Sequence, residues 1–270
     1  MREKNLIYGL DDKVDKIKNY CIKFLKNDKD FEVAKKKLSI TPTFLFDGLP
    51  GTGKTTIAHE VYEQLKEEYN IDLICLRIDE LISQNFGESS KNLIAFFEQI
   101  KKDVKDNSSF AFVIIDELDS FTVNRYQNDN ESIKRVLLTF NTIIDEMFLN
   151  GDLDKIILIA TTNIKESIDT SVLRRFFFHE DFNISLNKDE FCCFIDEIRA
   201  VSSTFDTFHN DDIEKLFEIY EKKKFTLGEL KTIFAHFYME SKTELSNETL
   251  NFNVFIDKES FYETIVKQRT

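Results

Sequence analysis

The chain has 270 residues, of which 42% are hydrophobic and 27 are Phe, so it can fill the core of one large domain or of a domain with a small satellite. Its formal net charge of −13 disfavours a protein that coats nucleic acid, because binding a polyanion requires Lys and Arg at the phosphates. No apolar run follows Met1 and no window approaches ~18 uncharged apolar residues, so we expect a cytoplasmic protein without signal peptide or membrane span.

Apolar residues at helical spacing predict an amphipathic helix from Asp11 to Leu25. Four short apolar runs follow it, and the segments between them have helical periodicity. We interpret these runs as strands: TFLF at 43–46, IDLICLRI at 71–78, FAFVIID at 110–116 and KIILIATT at 155–162. Such alternation predicts an α/β fold in which a parallel sheet is sandwiched by helices.

The pattern changes after the segment RRFFFHEDFNI at 174–184. Helices are predicted at 191–201, 211–220 and 227–239, and Thr226 is a suitable N-cap for the last of them. We therefore predict a boundary near Asn187. Residues 1–186 would form the α/β core with its N-terminal helix, and residues 187–270 a small, mainly helical lid.

The segment DGLPGTGKTT at 47–56 concentrates glycines between a predicted strand and a predicted helix. Its spacing, Gly48-x-x-x-x-Gly53-Lys54-Thr55, is that of a phosphate-binding loop, the Walker A motif. Glycines let backbone N–H groups curl around phosphates, and the helix N-terminus and Lys54 add positive charge. The predicted nucleotide-binding residues are Gly48, Leu49, Pro50, Gly51, Thr52, Gly53, Lys54, Thr55 and Thr56, and the Thr55 hydroxyl is also predicted to bind Mg²⁺.

Two further strand ends carry polar residues that suit this chemistry. The run FAFVIID leads into Asp116 and Glu117, where Asp116 can reach the metal ion and Glu117 can polarise the attacking water as general base, as in a Walker B motif. The alternative is that Asp116 and Glu117 are an ordinary acidic strand end. This alternative is the weaker one, because a phosphate-binding loop lies about 60 residues upstream. The next strand ends in Asn163, which could hold the water or sense the outer phosphate; taken singly, a turn-capping Asn is the stronger interpretation.

The segments GLPGTGKTT, FVIIDELDS, IATTN and IDTSVLRRF occur in the order and at about the spacing of the AAA family of AAA+ ATPases. IDELISQNFGESSKNL resembles the stretch after that family's second strand, so the resemblance covers roughly residues 6–240. It implies a homo-oligomeric ring, most often a hexamer, that binds ATP and Mg²⁺ between neighbouring subunits. It also implies a protein substrate, met directly or through an adaptor.

The same resemblance gives roles to single residues. Asn163 takes the role of the first sensor, and Arg174 and Arg175 become candidates for cations that reach the γ-phosphate of the neighbouring subunit. Many members separate two such arginines, whereas here they are adjacent, so which one acts stays open. A surface arginine pair that packs against Phe residues is the alternative.

Other segments resemble the parts of family members that contact adenine and that line the centre of the ring. IYGLDD at 7–12 resembles the segment whose backbone meets adenine, which implies contacts from Tyr8, Gly9 and Leu10, and Gly228 resembles the lid position over the base. SQNFGES at 83–89 resembles the loop that grips substrate, through Asn85, Phe86 and Gly87. Threading motors usually carry an aromatic residue where this chain has Asn85. An equally strong interpretation is that Phe86 packs inside its own subunit, which would disfavour threading.

The predicted function is therefore an ATP-hydrolysing ring that remodels, unfolds or disassembles a protein. Within the family, the region from residue 111 resembles AAA ATPases that remodel HORMA-domain proteins, including those of bacterial immune signalling. The alternative is a DNA-associated loader or helicase partner, supported only by 11 Lys and Arg against seven Asp and Glu in residues 1–40. A scaffold that binds ATP but scarcely hydrolyses it ranks last, because Glu117, Asn163 and both arginines are present. Neither nucleic acid nor a membrane is an expected partner.

Overall fold

The computed structural model describes residues 9–78, 88–120, 130–202 and 210–241. The chain divides between Asn183 and Ile184 into two compact units, and Gly9 belongs with the second of them. Among the described residues, no helix has both the length and the apolar character needed to cross a membrane.

The larger unit, from Leu10 to Asn183, contains a sheet of five parallel strands in the described part of the chain. Their order is β2-β3-β4-β1-β5. The strands are β1 (Thr43–Asp47), β2 (Ile71–Arg77), β3 (Phe110–Asp116), β4 (Ile156–Thr162) and β5 (Phe178–Asp181). Every residue of β4 and five of the seven residues of β3 are buried. Strands covered on both faces have continuous apolar sequences, which is why these runs were recognisable. The predicted α/β fold with a parallel sheet is confirmed.

The helices of this unit are α1 (Asp11–Lys26), α2 (Lys29–Leu38), α3 (Lys54–Leu65), α4 (Glu88–Asn107), α5 (Asn130–Asn150) and the short α6 (Thr170–Leu173). Single 3₁₀ turns cover Asp152–Lys155 and Lys165–Ser167. α1 packs against α3, and α4 against α5. The side chains that α1 buries, Val14, Ile17, Cys21, Phe24 and Leu25, are those whose spacing predicted the helix.

The short edge strand β5 was not predicted from the sequence. It contains His179, Glu180 and Asp181, so it lacks the apolar run that marks the other strands. Tertiary contacts hold it instead: the Phe178 ring stacks on that of Phe44 with centroids 4.7 Å apart, and the buried Glu180 carboxylate accepts from the Lys16 ammonium at 2.5 Å. β5 therefore depends on β1 and α1 for its conformation.

The smaller unit is helical in its described part, as predicted for the lid. Its helices are α7 (Lys188–Val201), α8 (Asn210–Lys223) and α9 (Leu227–Ser241). Asn187 and Glu190 form a reciprocal capping box at the start of α7. At the start of α9, the Thr226 hydroxyl accepts from the Glu229 N–H at 3.3 Å, which confirms Thr226 as its cap. Buried aromatic and aliphatic side chains from all three helices form one core.

Candidate active site

The phosphate-binding loop connects β1 to α3, and its glycines follow the geometry of the backbone. Gly51 and Gly53 have φ angles of 79° and 92°, in the left-handed region that favours glycine. At Gly48, an added Cβ would lie 3.1 Å from the Cβ of Phe182 and 3.2 Å from its carbonyl carbon. Phe182 cannot easily withdraw, because its N–H donates to the Asp47 carbonyl at 2.7 Å. The loop thus passes too close to the chain after β5 to carry a side chain at Gly48.

Lys54 begins α3, and its side chain is buried. The ammonium donates to the carbonyl oxygens of Gly48 and Leu49 at 2.6 and 2.9 Å, and to Oδ1 of Asn163 at 2.8 Å. Burial lowers the pKa of Lys54 from its ordinary value, and nearby carboxylates offset part of that effect. The N–H groups in the first turn of a helix have no acceptor within the helix, so those of α3 can donate to a ligand. The Lys54 ammonium and this helix N-terminus together suit a polyphosphate.

The Thr55 hydroxyl and the Asp116 carboxylate meet at the ends of different elements. Thr55 Oγ1 donates to Asp116 Oδ1 at 2.8 Å, and the Thr161 hydroxyl donates to the same oxygen. Hydroxyl and carboxylate oxygens are the ligands that Mg²⁺ prefers, so Thr55 and Asp116 would suit a magnesium ion. Glu117 follows directly on Asp116, at the carboxyl end of β3.

Asp119 joins the tip of β4 to the turn after β3. Its buried carboxylate accepts from the Thr162 hydroxyl at 2.9 Å and from the Asn163 N–H at 3.0 Å. Asn163 is therefore held through its backbone by Asp119 and through its side chain by Lys54. Asp119 had no predicted role, although it is the second aspartate of the DELD segment that contains the predicted metal ligand.

The two adjacent arginines have different surroundings. Arg175 donates from Nε and Nη2 to both carboxylate oxygens of Asp145 on α5, at 3.1 and 2.6 Å, and from Nη1 to the Ser171 carbonyl at 2.6 Å. The Ser171 hydroxyl accepts from the side chain of Asn141, one turn before Asp145. Arg174 is exposed, and within the described part of the chain its side chain makes no hydrogen bond or ion pair.

Residues 44–186, more than half of the chain, match the family model described as "ATPase family associated with various cellular activities (AAA)". The chain belongs to the AAA family of ATPases. It is 30% identical over 182 residues to Protein CdcH of Halobacterium salinarum, which covers 67% of this chain and 22% of that protein. It is 29% identical over 186 residues to the proteasome-activating nucleotidase of Methanopyrus kandleri, which covers 68% of this chain and 40% of that protein. The AAA chain thus spans well under half the length of either relative.

A chain of the solved E. coli MS115-1 HORMA:CdnC:Trip13 complex has the same fold. Its TM-score is 0.76 at 16% sequence identity, and the match covers 93% of this AAA chain and 89% of that chain. At this level of identity the similarity concerns the fold.

The residues predicted to contact adenine and substrate are only partly described for this AAA chain. Leu10 is buried and lies beside the phosphate-binding loop, where its Cδ1 would be 3.6 Å from a Cβ added at Gly53. Gly9 has a φ of 65° and belongs to the smaller unit, as does Gly228 in the first turn of α9. The remaining predicted positions lie outside the described residues: Tyr8, Asn85, Phe86 and Gly87.

Several residues that support this AAA site have no motif of their own. Asp145 holds Arg175, Asn183 Oδ1 accepts from the Leu49 N–H at 2.8 Å, and the Asp47 carboxylate accepts from the Lys165 ammonium at 3.2 Å. The sequence offered one partial signal, the polar Thr-Thr-Asn end of β4, which includes Thr161.

Proposed function

We propose that this AAA chain hydrolyses ATP to ADP and phosphate with the help of Mg²⁺. One observation carries the proposal: Lys54, Thr55, Asp116, Glu117 and Asn163 converge at the carboxyl ends of β1, β3 and β4. In open parallel sheets, ligands bind at this end of the strands.

Each of these residues has a role that its position supports. The Lys54 ammonium, already surrounded by oxygen acceptors, binds the outer phosphates when it exchanges those partners. Thr55 and Asp116 would hold a magnesium ion, whose positive charge would offset the negative charge of the phosphates. Glu117 orients the attacking water and accepts its proton, and Asn163 positions the water from the tip of β4.

Arg174 is the arginine that acts on the neighbouring subunit. A cation that reaches across an interface must be exposed and not bonded to its own subunit. Arg174 is exposed, and among the described residues its side chain makes no hydrogen bond or ion pair. The Arg175 guanidinium donates hydrogen bonds to Asp145 and Ser171, so Arg175 fixes the segment that carries Arg174. The site is then complete only where two subunits meet, which favours a ring, most simply a hexamer.

The ring acts on a protein, as the family resemblance implies. A proteasome-activating nucleotidase is among the curated relatives, and the fold is shared with a chain from a complex that contains a HORMA protein. A HORMA-domain protein is therefore the first substrate to test, with an adaptor as the other route to the ring. Cytoplasmic location remains a prediction of the sequence.

Two substitutions test the hydrolysis proposal. Lys54→Ala should abolish ATP binding in titration calorimetry. Glu117→Gln should keep ATP binding but slow phosphate release by ~10²–10⁴-fold, because a positioned base typically contributes that much. ATP binding by Lys54→Ala at wild-type affinity, or unchanged phosphate release by Glu117→Gln, would contradict the respective roles.

The Glu117→Gln protein also tests the substrate. With ATP bound but not cleaved, it should form a complex with a HORMA-domain protein that elutes together in size-exclusion chromatography, and Lys54→Ala should not. A complex that forms equally well with Lys54→Ala would show that retention is independent of nucleotide, which contradicts an ATP-driven remodeller.

A further inference from the structure

Glu117 has an unusual backbone conformation for its residue type. Its φ of 55° lies in the left-handed region, which non-glycine residues rarely adopt because Cβ approaches the following carbonyl oxygen. Such a conformation persists when the surroundings hold it from several sides, and it concentrates at functional sites.

Thr161 of β4 supplies most of that restraint. The Glu117 N–H donates to the Thr161 hydroxyl at 3.1 Å, and the next N–H, of Leu118, donates to the Thr161 carbonyl at 2.8 Å. On the other side, the Glu117 carbonyl accepts from the Ser120 N–H at 2.8 Å. One residue of the neighbouring strand thus binds two consecutive amides at the turn that carries Glu117.

The same hydroxyl also restrains Asp116. Thr161 Oγ1 donates its proton to Asp116 Oδ1, the oxygen that accepts from Thr55 as well. A hydroxyl has one proton to donate and two lone pairs to accept with, and here the proton goes to Asp116 and a lone pair to Glu117. Two hydroxyl donors thus restrain the position of Asp116 Oδ1.

We propose that Thr161 is a positioning residue for hydrolysis, whose hydroxyl orients the metal-binding carboxylate of Asp116 and the backbone of Glu117 together. The inference rests on the proposed ATPase function. Thr161 is 2% exposed and acts only through these two neighbours. Serine keeps the hydroxyl and valine keeps the shape, so the two functions of the side chain can be separated.

The β3–β4 pairing does not require the hydroxyl. Both strands are joined by backbone bonds in register up to Ile115 and Ala160, and their side chains are buried. Thr43 provides a matched control, since it is a fully buried threonine of the same sheet whose hydroxyl accepts from the Phe177 N–H at 3.0 Å. It begins β1, whereas the site lies at the carboxyl ends of the strands.

The experiment compares Thr161→Val, Thr161→Ser and Thr43→Val in the full chain. Thr161→Val should lower kcat about 10²-fold with KM for ATP changed by less than about 3-fold, and Thr161→Ser should stay within about 3-fold of wild type. As a readout without turnover, the Mg²⁺ concentration that gives half-maximal calorimetric binding of ADP should rise several-fold in Thr161→Val only. Melting temperatures of the two Val variants should be similar.

Two results would overturn the inference. One is a Thr161→Val protein that keeps both kcat and its Mg²⁺ midpoint. The other is an equal loss of kcat in Thr43→Val, which would make the effect a general loss of sheet stability. Wild type and Glu117→Gln are measured in parallel: if wild type releases no phosphate, the proposed function fails and the inference with it. If wild type is active and Thr161→Val matches it in both kcat and Mg²⁺ midpoint, the inference alone fails.

Discussion

Replacing Arg174 and Arg175 by Ala, one at a time, should produce opposite combinations of stability and activity. Arg175 is 24% exposed and pairs with Asp145, which is 54% exposed, and a pair of this kind contributes ~0.2–1 kcal/mol. Its further bond to the Ser171 carbonyl, from a charged donor, adds about 1.5 kcal/mol. Arg175→Ala should therefore lower the free energy of unfolding by about 1–3 kcal/mol. Arg174→Ala should change it by no more than about 0.5 kcal/mol.

The two variants should differ in activity in the opposite order, with the larger loss of kcat in Arg174→Ala. A cation supplied across an interface contributes ~10³–10⁵ to kcat, so Arg174→Ala should lower kcat by at least about 10³-fold. Arg175→Ala, whose side chain only fixes the segment, should stay within about 10-fold of wild type. Urea unfolding followed by far-UV circular dichroism gives the stability, because the chain has no Trp to report by fluorescence. Phosphate release gives kcat, and Arg199→Ala controls for the loss of a surface arginine.

A mixing experiment tests whether Arg174 acts on the neighbouring subunit. Arg174→Ala and Lys54→Ala proteins should each be inactive alone. In mixed rings, an Arg174→Ala subunit retains its own Lys54 and receives Arg174 from a Lys54→Ala neighbour. Random equimolar mixing should then restore about one site in four, since each site needs one particular pair. No recovery on mixing would refute action in trans. An inactive but fully stable Arg175→Ala protein beside an active Arg174→Ala protein would reverse the two roles.

Two further predictions concern stability. Gly48→Ala should lower the free energy of unfolding by ~1–3 kcal/mol, because its Cβ would meet the fixed Phe182. Gly151→Ala, at a φ of 75° and with Asp154 Oδ2 3.9 Å from the added Cβ, should lower it by less and thus separate the clash from backbone strain. Asn187→Ala should lower the free energy of unfolding measured in urea by ~1 kcal/mol, because it removes the capping box of α7. An unchanged free energy of unfolding, or an equal loss in Asn187→Asp, would contradict the role of Asn187 as a cap.

The sequence predicted the elements that carry their own periodicity. Four strand predictions agree with β1 to β4 within one residue at each end, because these strands are covered on both faces and their residues are almost all apolar. β5 has four residues, three of them polar or charged, and it forms because β1 pairs with it. No local pattern could report that pairing, since it depends on residues more than 130 positions apart in sequence.

The candidate site divides in the same way. The Walker A spacing and the acidic end of β3 indicated nucleotide chemistry, because phosphates and Mg²⁺ demand particular residue types at particular positions. The sequence indicated Thr161 only as part of a polar strand end, and it gave no indication of a role for Asp145. Its bond to Arg175 joins residues 30 apart, and which helix faces the arginine segment is a property of the folded chain.

Residues that contact a ligand and residues that support them are therefore constrained differently. In the proposed site, Lys54 and Asp116 would have to match the charge and geometry of a phosphate or a metal ion, so few residue types would suit each position. Thr161 and Asp145 need only match another side chain or amide of the same protein, and different donors and acceptors meet such a need on different folds. Their substitution keeps the chemical groups proposed to react and changes only the positions in which those groups are held. Variants of Thr161 and Asp145 thus separate positioning from chemistry, which variants of the motif residues cannot do.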